Sequence, residues 1–468
     1  MAIRKAARQD ASVANVPEAE DLATPVKAVP NEEFFWESRD YLRNIRQRAW
    51  ASRVSPVSLL AVVLARTLAE ISPIVVLPAL RGGTTSCNLF VALVGKSGSG
   101  KTASIGAAES ARSWKHTTDG VGSGEGLLKV FGVARKDGSV WNTYMHNDRA
   151  LVIEDEIDNI AALKDRSGST LMPVLRKMWG GSSVKFSYSD PSKATRLEAH
   201  SYRLSLVVGV QPGRGAALFD DADAGTPQRF LWASVYDPSA PQSPPLMPPP
   251  MPWRVPPDPD HDEQSCMAAE GEEHIVIEVD DTVRAEIDEH QFRSLKGETS
   301  EIEDAKGHGM LTRLKVAAVL GLLDGRRSVM SIDWKLAEQV MIWSDAARQV
   351  VLDELRAESD RRAKSKIAQT AEGIAVGSVR ADARMRDRAL QKGAEQVARH
   401  VHRAACGDDG CPRKCVTQSV AGRNRKYAST DEILAFAIDK GWIVEDLGAN
   451  VSPPKGGRIR YLAGEAVP

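Results

Sequence analysis

The octapeptide Gly95-Lys96-Ser97-Gly98-Ser99-Gly100-Lys101-Thr102 has the residue types needed to grip a chain of phosphates. Its glycines let successive backbone N–H groups turn toward one anion, and a helix N-terminus adds positive partial charge. Lys101 supplies an ammonium for β- and γ-phosphates, and Thr102 a hydroxyl for Mg²⁺. The flanks suit this chemistry. Apolar Asn88 to Val94 reads as a strand, and Ala-rich 103–111 as a helix, so the loop joins strand to helix. A second segment, Ala150-Leu-Val-Ile-Glu-Asp-Glu156-Ile-Asp158, is an apolar strand ending in carboxylates. Asp155 is assigned to the metal and Glu156 to the attacking water, with Glu154 as the alternative register. A third apolar strand, Leu204 to Val210, ends in Gln211, whose amide could orient that water from between the other two strands. Arg229 follows, an arginine at a loop end of the kind that stabilises transition-state charge on a neighbouring subunit's γ-phosphate.

Between the second and third strands, residues 184–197 alternate, turn at Asp190-Pro191-Ser192 and alternate again, which predicts a β-hairpin. Lys193 at its tip, with Lys185 or Arg196, could track a phosphate backbone inside a ring.

The elements that must position these groups lie in a chain of 468 residues, too long for one ordinary core. Its formal charge of -1 excludes a global polycation, so nucleic-acid contact must use local patches. Five cysteines do not make a disulfide framework, and a reducing cytoplasm fits. No long apolar core marks a signal peptide at the N-terminus. The apolar region 57–80 is broken by Arg66, Glu70 and Pro73, and reads as an amphipathic helix then a buried strand rather than a membrane span. Residues 1–30 are expected to be disordered, 31–237 to form the phosphate-loop domain with N-terminal helices, and 238–272 a Pro-rich linker or surface strap. Residues 273–369 read as a helical lid, and 370–468 as a basic C-terminal module. Eleven prolines fall among the 22 residues from Pro238 to Pro259. Met310 to Leu323 has apolar residues at helical spacing, and 370–382 is polar.

From Arg380 to Lys426 there are twelve Lys/Arg against five Asp/Glu. The pattern is helix, Cys-rich turn, short helix, then a capping box Ser429-Thr-Asp-Glu432 opening a third helix. Two strands follow around a Pro-Gly loop. Three helices and a two-stranded wing predict an α+β winged helix that holds duplex DNA, with Arg423, Arg425 and Lys426 on its basic surface. A protein-binding winged helix is the bland alternative. His402, Cys406, Cys411 and Cys415 could close a structural Zn²⁺ site, with His400 as a substitute ligand and buried thiols as the rival reading.

This order of phosphate loop, Asp-Glu strand end, basic hairpin, polar-ended strand and arginine is similar to AAA+ ATPases of the hairpin-bearing helicase clade. That clade includes superfamily 3 viral helicases and MCM replicative helicases. The span from Phe34 to Arg348 looks like a P-loop family of phages, plasmids and integrated elements, often fused to or encoded beside primases. The residues carrying it are Leu89 to Thr102, Asp155-Glu156, Gln211-Pro212, Gln228-Arg229-Phe-Leu and Arg313-Leu-Lys-Val-Ala-Ala-Val-Leu. Gln211 stands where asparagine is usual. The resemblance implies an α/β P-loop NTPase that uses ATP and Mg²⁺ and forms a ring, a hexamer in this reading. A single strand would pass through the ring, duplex would sit on the C-terminal module, and a primase could be a partner. It also implies that Arg313 contacts the γ-phosphate from a lid. Two other readings stay open. One is an initiator that uses ATP only as a switch. The other is a RecA-type motor, whose catalytic glutamate would be Glu109 or Glu125.

Overall fold

Apolar side chains on every side of residues 56–69 dictate a helix with no wet face. Helix α1 (Asp40–Ala51) is amphipathic, but α2 (Pro56–Ala69) is buried along its whole length apart from half-exposed Val57. This corrects the amphipathic expectation: α2 is a core element. Pro56 occupies its first turn and Ser55 its N-cap position, without a side-chain cap hydrogen bond. The computed structural model describes residues 32–116, 118–120, 122–164, 166, 168–186, 188, 190–219, 225–257, 274–298, 301–403, 410–446 and 459–466. The segment expected to be disordered, 1–30, lies outside them.

The central sheet is built in chain order from β1 (Phe90–Val94), helix α3 (Lys101–Glu109), β2 (Thr118–Asp119), helix α4 (Gly124–Lys129), β3 (Arg149–Glu154), helix α5 (Leu171–Gly180), β4 (Arg203–Val210) and β5 (Phe230–Ser234). The strands run parallel in the order β5-β1-β4-β3-β2. The protein is thus mixed α/β around a parallel sheet. Strands β1 and β4 are buried at every residue, as continuous apolar runs covered on both faces must be. β4 separates β1 from β3, with Val94 level with Val210 and Glu154 level with Val208. The ends bearing the phosphate loop and the acidic pair therefore stand together at the C-terminal end of the sheet.

Two antiparallel hairpins extend from this frame. The first, Gly132–Asp137 with Val140–Met145, was not anticipated from the sequence. The second, Val184–Phe186 with Thr195–Leu197, pairs Lys185 with Arg196. They touch: the Arg196 amide donates to Thr143 Oγ1 at 2.8 Å.

Helices expected as a lid share the main core. In α6 (Glu301–Leu323), Val316, Ala317, Val319, Leu320, Leu322 and Leu323 are all buried in the cluster that contains α2. Thr312 Oγ1 donates to Gln228 O, and Lys315 Nζ donates to Asn88 O and Trp179 O, 2.7 Å each. These contacts set α6 across the N-terminal ends of β1 and β5, away from the phosphate loop. A helix this apolar is driven inward rather than left as a mobile cover. The prolines at 238–257 form a docked strap, because α1 supplies donors for their free carbonyls. Asn44 Nδ2 and Arg48 Nη2 reach Pro249 O at 2.9 and 2.7 Å, and Gln47 reaches Leu246 O at 2.8 Å.

Helix α7 (Ser331–Arg403) runs 73 residues without a break. The stretch 370–382, expected as polar, is therefore helical; it holds no proline, and its three alanines favour a helix despite two glycines. The chain divides into two compact units, residues 1–358 and 359–468. In the second, the end of α7 packs Val397, Ala398 and Val401 against Val416, Ile433, Leu434 and Tyr461. The Ser429–Glu432 capping box forms. Strands Ile443–Asp446 and Arg460–Ala463 pair antiparallel, and Cys411–Pro412 adds a third strand. The loop from 447 to 458 lies outside the described residues. Among the described residues, no helix is long and apolar enough to cross a membrane.

Candidate active site

The loop 95–102 bends because two glycines take left-handed backbone conformations, Gly98 at φ 72° and Gly100 at φ 101°. Gly100 is the N-cap of α3. Nothing lies within 4 Å of a Cβ placed on either glycine, so their backbone conformation, not crowding, is what calls for glycine there. The amides of Ser97, Gly98 and Gly100 take no acceptor among the described residues. Lys101 Nζ donates to Gly95 O and Lys96 O at 2.9 Å each, which curls the ammonium over the loop. Burial pulls its pKa down, and the charges of Glu156 and Tyr236 pull it back up. This donor set of unpaired amides, one ammonium and a helix start is complementary to a polyphosphate.

Opposite the loop, Asp155 and Glu156 are exposed at the end of β3, while Glu154 is 6% exposed and accepts from Asn159 Nδ2 at 2.6 Å. Asp155 and Glu156 are thus the carboxylates open to a ligand, whereas Glu154 has a structural contact. Gln211 Nε2 lies 3.5 Å from Glu156 Oε1, so the polar end of β4 does meet the acidic pair. Arg214 pairs with Asp158 just beyond. An oxygen-only donor set of exposed Thr102 and Asp155 beside an open anion cradle fits a Mg²⁺ that keeps several waters. Gly209 makes this closeness possible. A Cβ there would stand 2.0 Å from Asp155 O and 3.3 Å from Lys101 Cε. Gly209→Ala is expected to push the Asp155 peptide away, destabilise the protein by about 1–3 kcal/mol and slow nucleotide turnover. Thermal unfolding and steady-state hydrolysis measure both effects.

One neighbour escaped sequence reasoning. Tyr236, just past β5, accepts from the Lys96 amide at 3.2 Å. That donor holds its phenol below the usual range. Tyr236 also lines a cavity of about 400 Å³ with Trp36, Trp50, Val57 and Trp343. Trp50 Nε1 donates to Asp237 Oδ2 at 2.8 Å on its rim. An aromatic slot beside a phosphate loop suits a nucleobase. The pairing of β5 with β1 sets Tyr236 beside the loop, and separate helices bring the tryptophans and Val57 to it, none of which a linear reading shows.

Both remaining arginines lie elsewhere. Arg229 precedes β5, whose Phe230 is level with Phe90 at the start of β1. It is therefore one strand length, about 17 Å, from its own phosphate loop. Half-buried, it lines a cavity of about 580 Å³ with Arg176, Trp179 and His290. Its guanidinium lies 5.5 Å from the centre of the Trp179 ring. Burial, then the Arg176 charge, lowers its pKa to about 10. Arg313 is not brought to the phosphate loop, which corrects its expected lid role. It pairs with Glu286 at 3.1 Å and Glu338 at 3.4 Å, donates to Trp334 O at 3.0 Å and lies 3.8 Å from the centre of the Trp334 ring. It is a brace between helices.

On the second hairpin, Lys193 and Lys185 are exposed, Lys193 lying 3.9 Å from Asp190, and Arg196 pairs with Glu198. Arg423, Arg425 and Lys426 are exposed on the second unit, although Arg425 Nη2 also ties back to Thr417 O at 2.8 Å. The zinc cluster is not assembled among the described residues. Cys411 is buried in the apolar core, Cys415 is exposed, and His402 Nε2 lies 3.0 Å from Trp442 O. His400, the substitute, joins no group of potential metal ligands among the described residues, and Cys406 lies outside them. No protein-family model matches the chain, and no curated protein matches it.

Proposed function

We propose that this chain is an AAA+-type P-loop ATPase that assembles into a ring, a hexamer in this reading. It drives unwinding or translocation of DNA in the replication of a phage, plasmid or integrated element, in the cytoplasm and alongside a primase. The observation that carries the reading is the insertion of β4 between β1 and β3, with Gln211 against Glu156 across from the phosphate loop. Neither strand beside β1 comes from the chain between residues 102 and 149, so the RecA-type arrangement has no strand on which to carry Glu109 or Glu125.

In this mechanism Lys101 exchanges its loop carbonyls for β- and γ-phosphate oxygens. Glu156 accepts the proton of the attacking water, and the Gln211 amide holds that carboxylate in place. Mg²⁺ bound by Thr102 and Asp155 would supply charge neutralisation on the phosphates. Tyr236 and the tryptophan slot hold the base end of ATP, and Arg229 serves the neighbouring subunit.

A second reading, an ATP-switched initiator, is favoured by the compact basic second unit, which we read as a winged helix. Steady-state ATP hydrolysis on single strands, combined with strand separation on a fork, decides between them. Turnover with unwinding supports the motor; nucleotide-dependent duplex binding without unwinding supports the initiator. Replacing Arg423 and Lys426 together with alanine is expected to weaken duplex binding and shallow its salt dependence by about two phosphate contacts. Hydrolysis stimulated by single strands should survive. Affinity measured across a salt series checks this.

A further inference from the structure

Helix α4 and the second hairpin enclose a feature that offers more than the cation the phosphate-tracking role uses. A cleft of about 200 Å³ lies between Glu125 and Lys129 on α4 and Phe186, Tyr188, Lys193 and Thr195 of the second hairpin. It is smaller than the roughly 300 Å³ at which sites for whole small molecules begin, so it suits one ring of a larger polymer. Tyr188 is 39% exposed at its mouth. The first hairpin runs beside the segment Pro191–Lys193; it carries Trp141, 37% exposed, on the face that meets the second hairpin through Thr143, and Tyr144, 45% exposed, on the other face. Arg135 lies over the Tyr144 ring at 4.1 Å. The exposed rings of Tyr188 and Trp141 near Lys129, Lys136, Lys185 and Lys193 combine the two chemistries that hold unpaired strands: π-faces for bases and cations for phosphates. Duplex hides its base faces and cannot use such rings.

We propose that this cleft seats one base of an unpaired nucleic-acid strand against Phe186 and Tyr188, and that Trp141 stacks the base beside it. Lys129 and Lys193 flank the seated nucleotide at its phosphates. Glu125 on the cleft wall, which already accepts the Tyr188 hydroxyl, has lone pairs left to accept from an exocyclic amino group, so cytosine or adenine is seated in preference to thymine. The inference rests on the proposed contact between the second hairpin and a single strand. It does not require hydrolysis.

The test is equilibrium binding of the full chain, with a non-hydrolysable ATP analogue, to labelled oligo-dC, oligo-dT and an oligonucleotide carrying abasic sites. Tyr188→Ala and Trp141→Ala are each expected to weaken oligo-dC binding by about 5- to 100-fold with an unchanged salt slope, the range for loss of one stacked base. Neither should change affinity for the abasic strand. Lys193→Ala should weaken all three strands and shallow the salt slope. Glu125→Gln should abolish the preference for dC over dT. All four positions are at least partly exposed, so these variants are expected to fold. If Lys193→Ala weakens binding but both aromatic variants bind as the parent does, the base seat is overturned while the hairpin contact stands. If all of these variants bind as the parent does, the hairpin reading fails with it.

Discussion

Replacing Glu156 with glutamine is expected to lower ATP turnover by about 10²- to 10⁴-fold, the usual contribution of a positioned general base. Nucleotide affinity should stay near that of the parent. The substitution keeps size and leaves an acceptor for Gln211 Nε2, 3.5 Å away, so the site keeps its shape and loses only the proton acceptor. Lys101→Ala should act at the earlier step. Its ammonium lies over the loop and is the one side-chain cation there held by two loop carbonyls, so its loss should remove binding itself. Glu154→Gln is the internal control. Glu154 is buried and accepts from Asn159, so its variant should hydrolyse ATP while unfolding at lower temperature. Binding of a fluorescent nucleotide and phosphate release, measured on the same preparations, separate the three outcomes. If Glu156→Gln turns over at the parent rate while Glu154→Gln does not, the register is off by two residues.

The parts of this site that could be read from the sequence are those in which chemistry and local structure coincide. The phosphate loop carries its own strand, turn glycines and helix start within 24 residues, from Asn88 to Ala111. The place of β4 between β1 and β3 followed from what Gln211 would have to do, and the register bears out that placement. The first hairpin was legible and overlooked: Asp137-Gly138 is a turn signal between two alternating runs, and Gly138 takes φ 57°. Other features depend on partners distant in sequence. Nothing near Arg313 says that Glu286, Trp334 and Glu338 will surround it. Nothing near Pro249 says that Asn44 and Arg48 will dock it. The burial of α2 was legible by contrast, since apolar residues on nearly every side of 56–69 leave it no wet face.

Arg229→Ala is expected to leave ATP binding intact and to lower turnover by about 10³- to 10⁵-fold, the scale of an arginine that neutralises transition-state charge. The argument starts from position. Arg229 lies at the start of β5 and the phosphate loop at the end of β1, so the chain cannot bring this guanidinium to its own γ-phosphate without breaking the sheet. The residue can act on phosphate only across a contact between copies. Burial beside Trp179 and Arg176 keeps it in a drier setting, where its charge is less screened than on an open surface. A trans role has a consequence that a structural role lacks. Arg229→Ala subunits keep Lys101, and Lys101→Ala subunits keep Arg229. At equal mixing in a closed ring, about a quarter of interfaces combine an intact loop with an intact arginine. Two inactive proteins should therefore regain activity on mixing, by an amount that follows the product of their fractions. Phosphate release across a titration of one variant into the other measures that curve. A flat line, with both variants folded and assembled, would mean that Arg229 braces the cavity wall and that another group serves the neighbouring nucleotide.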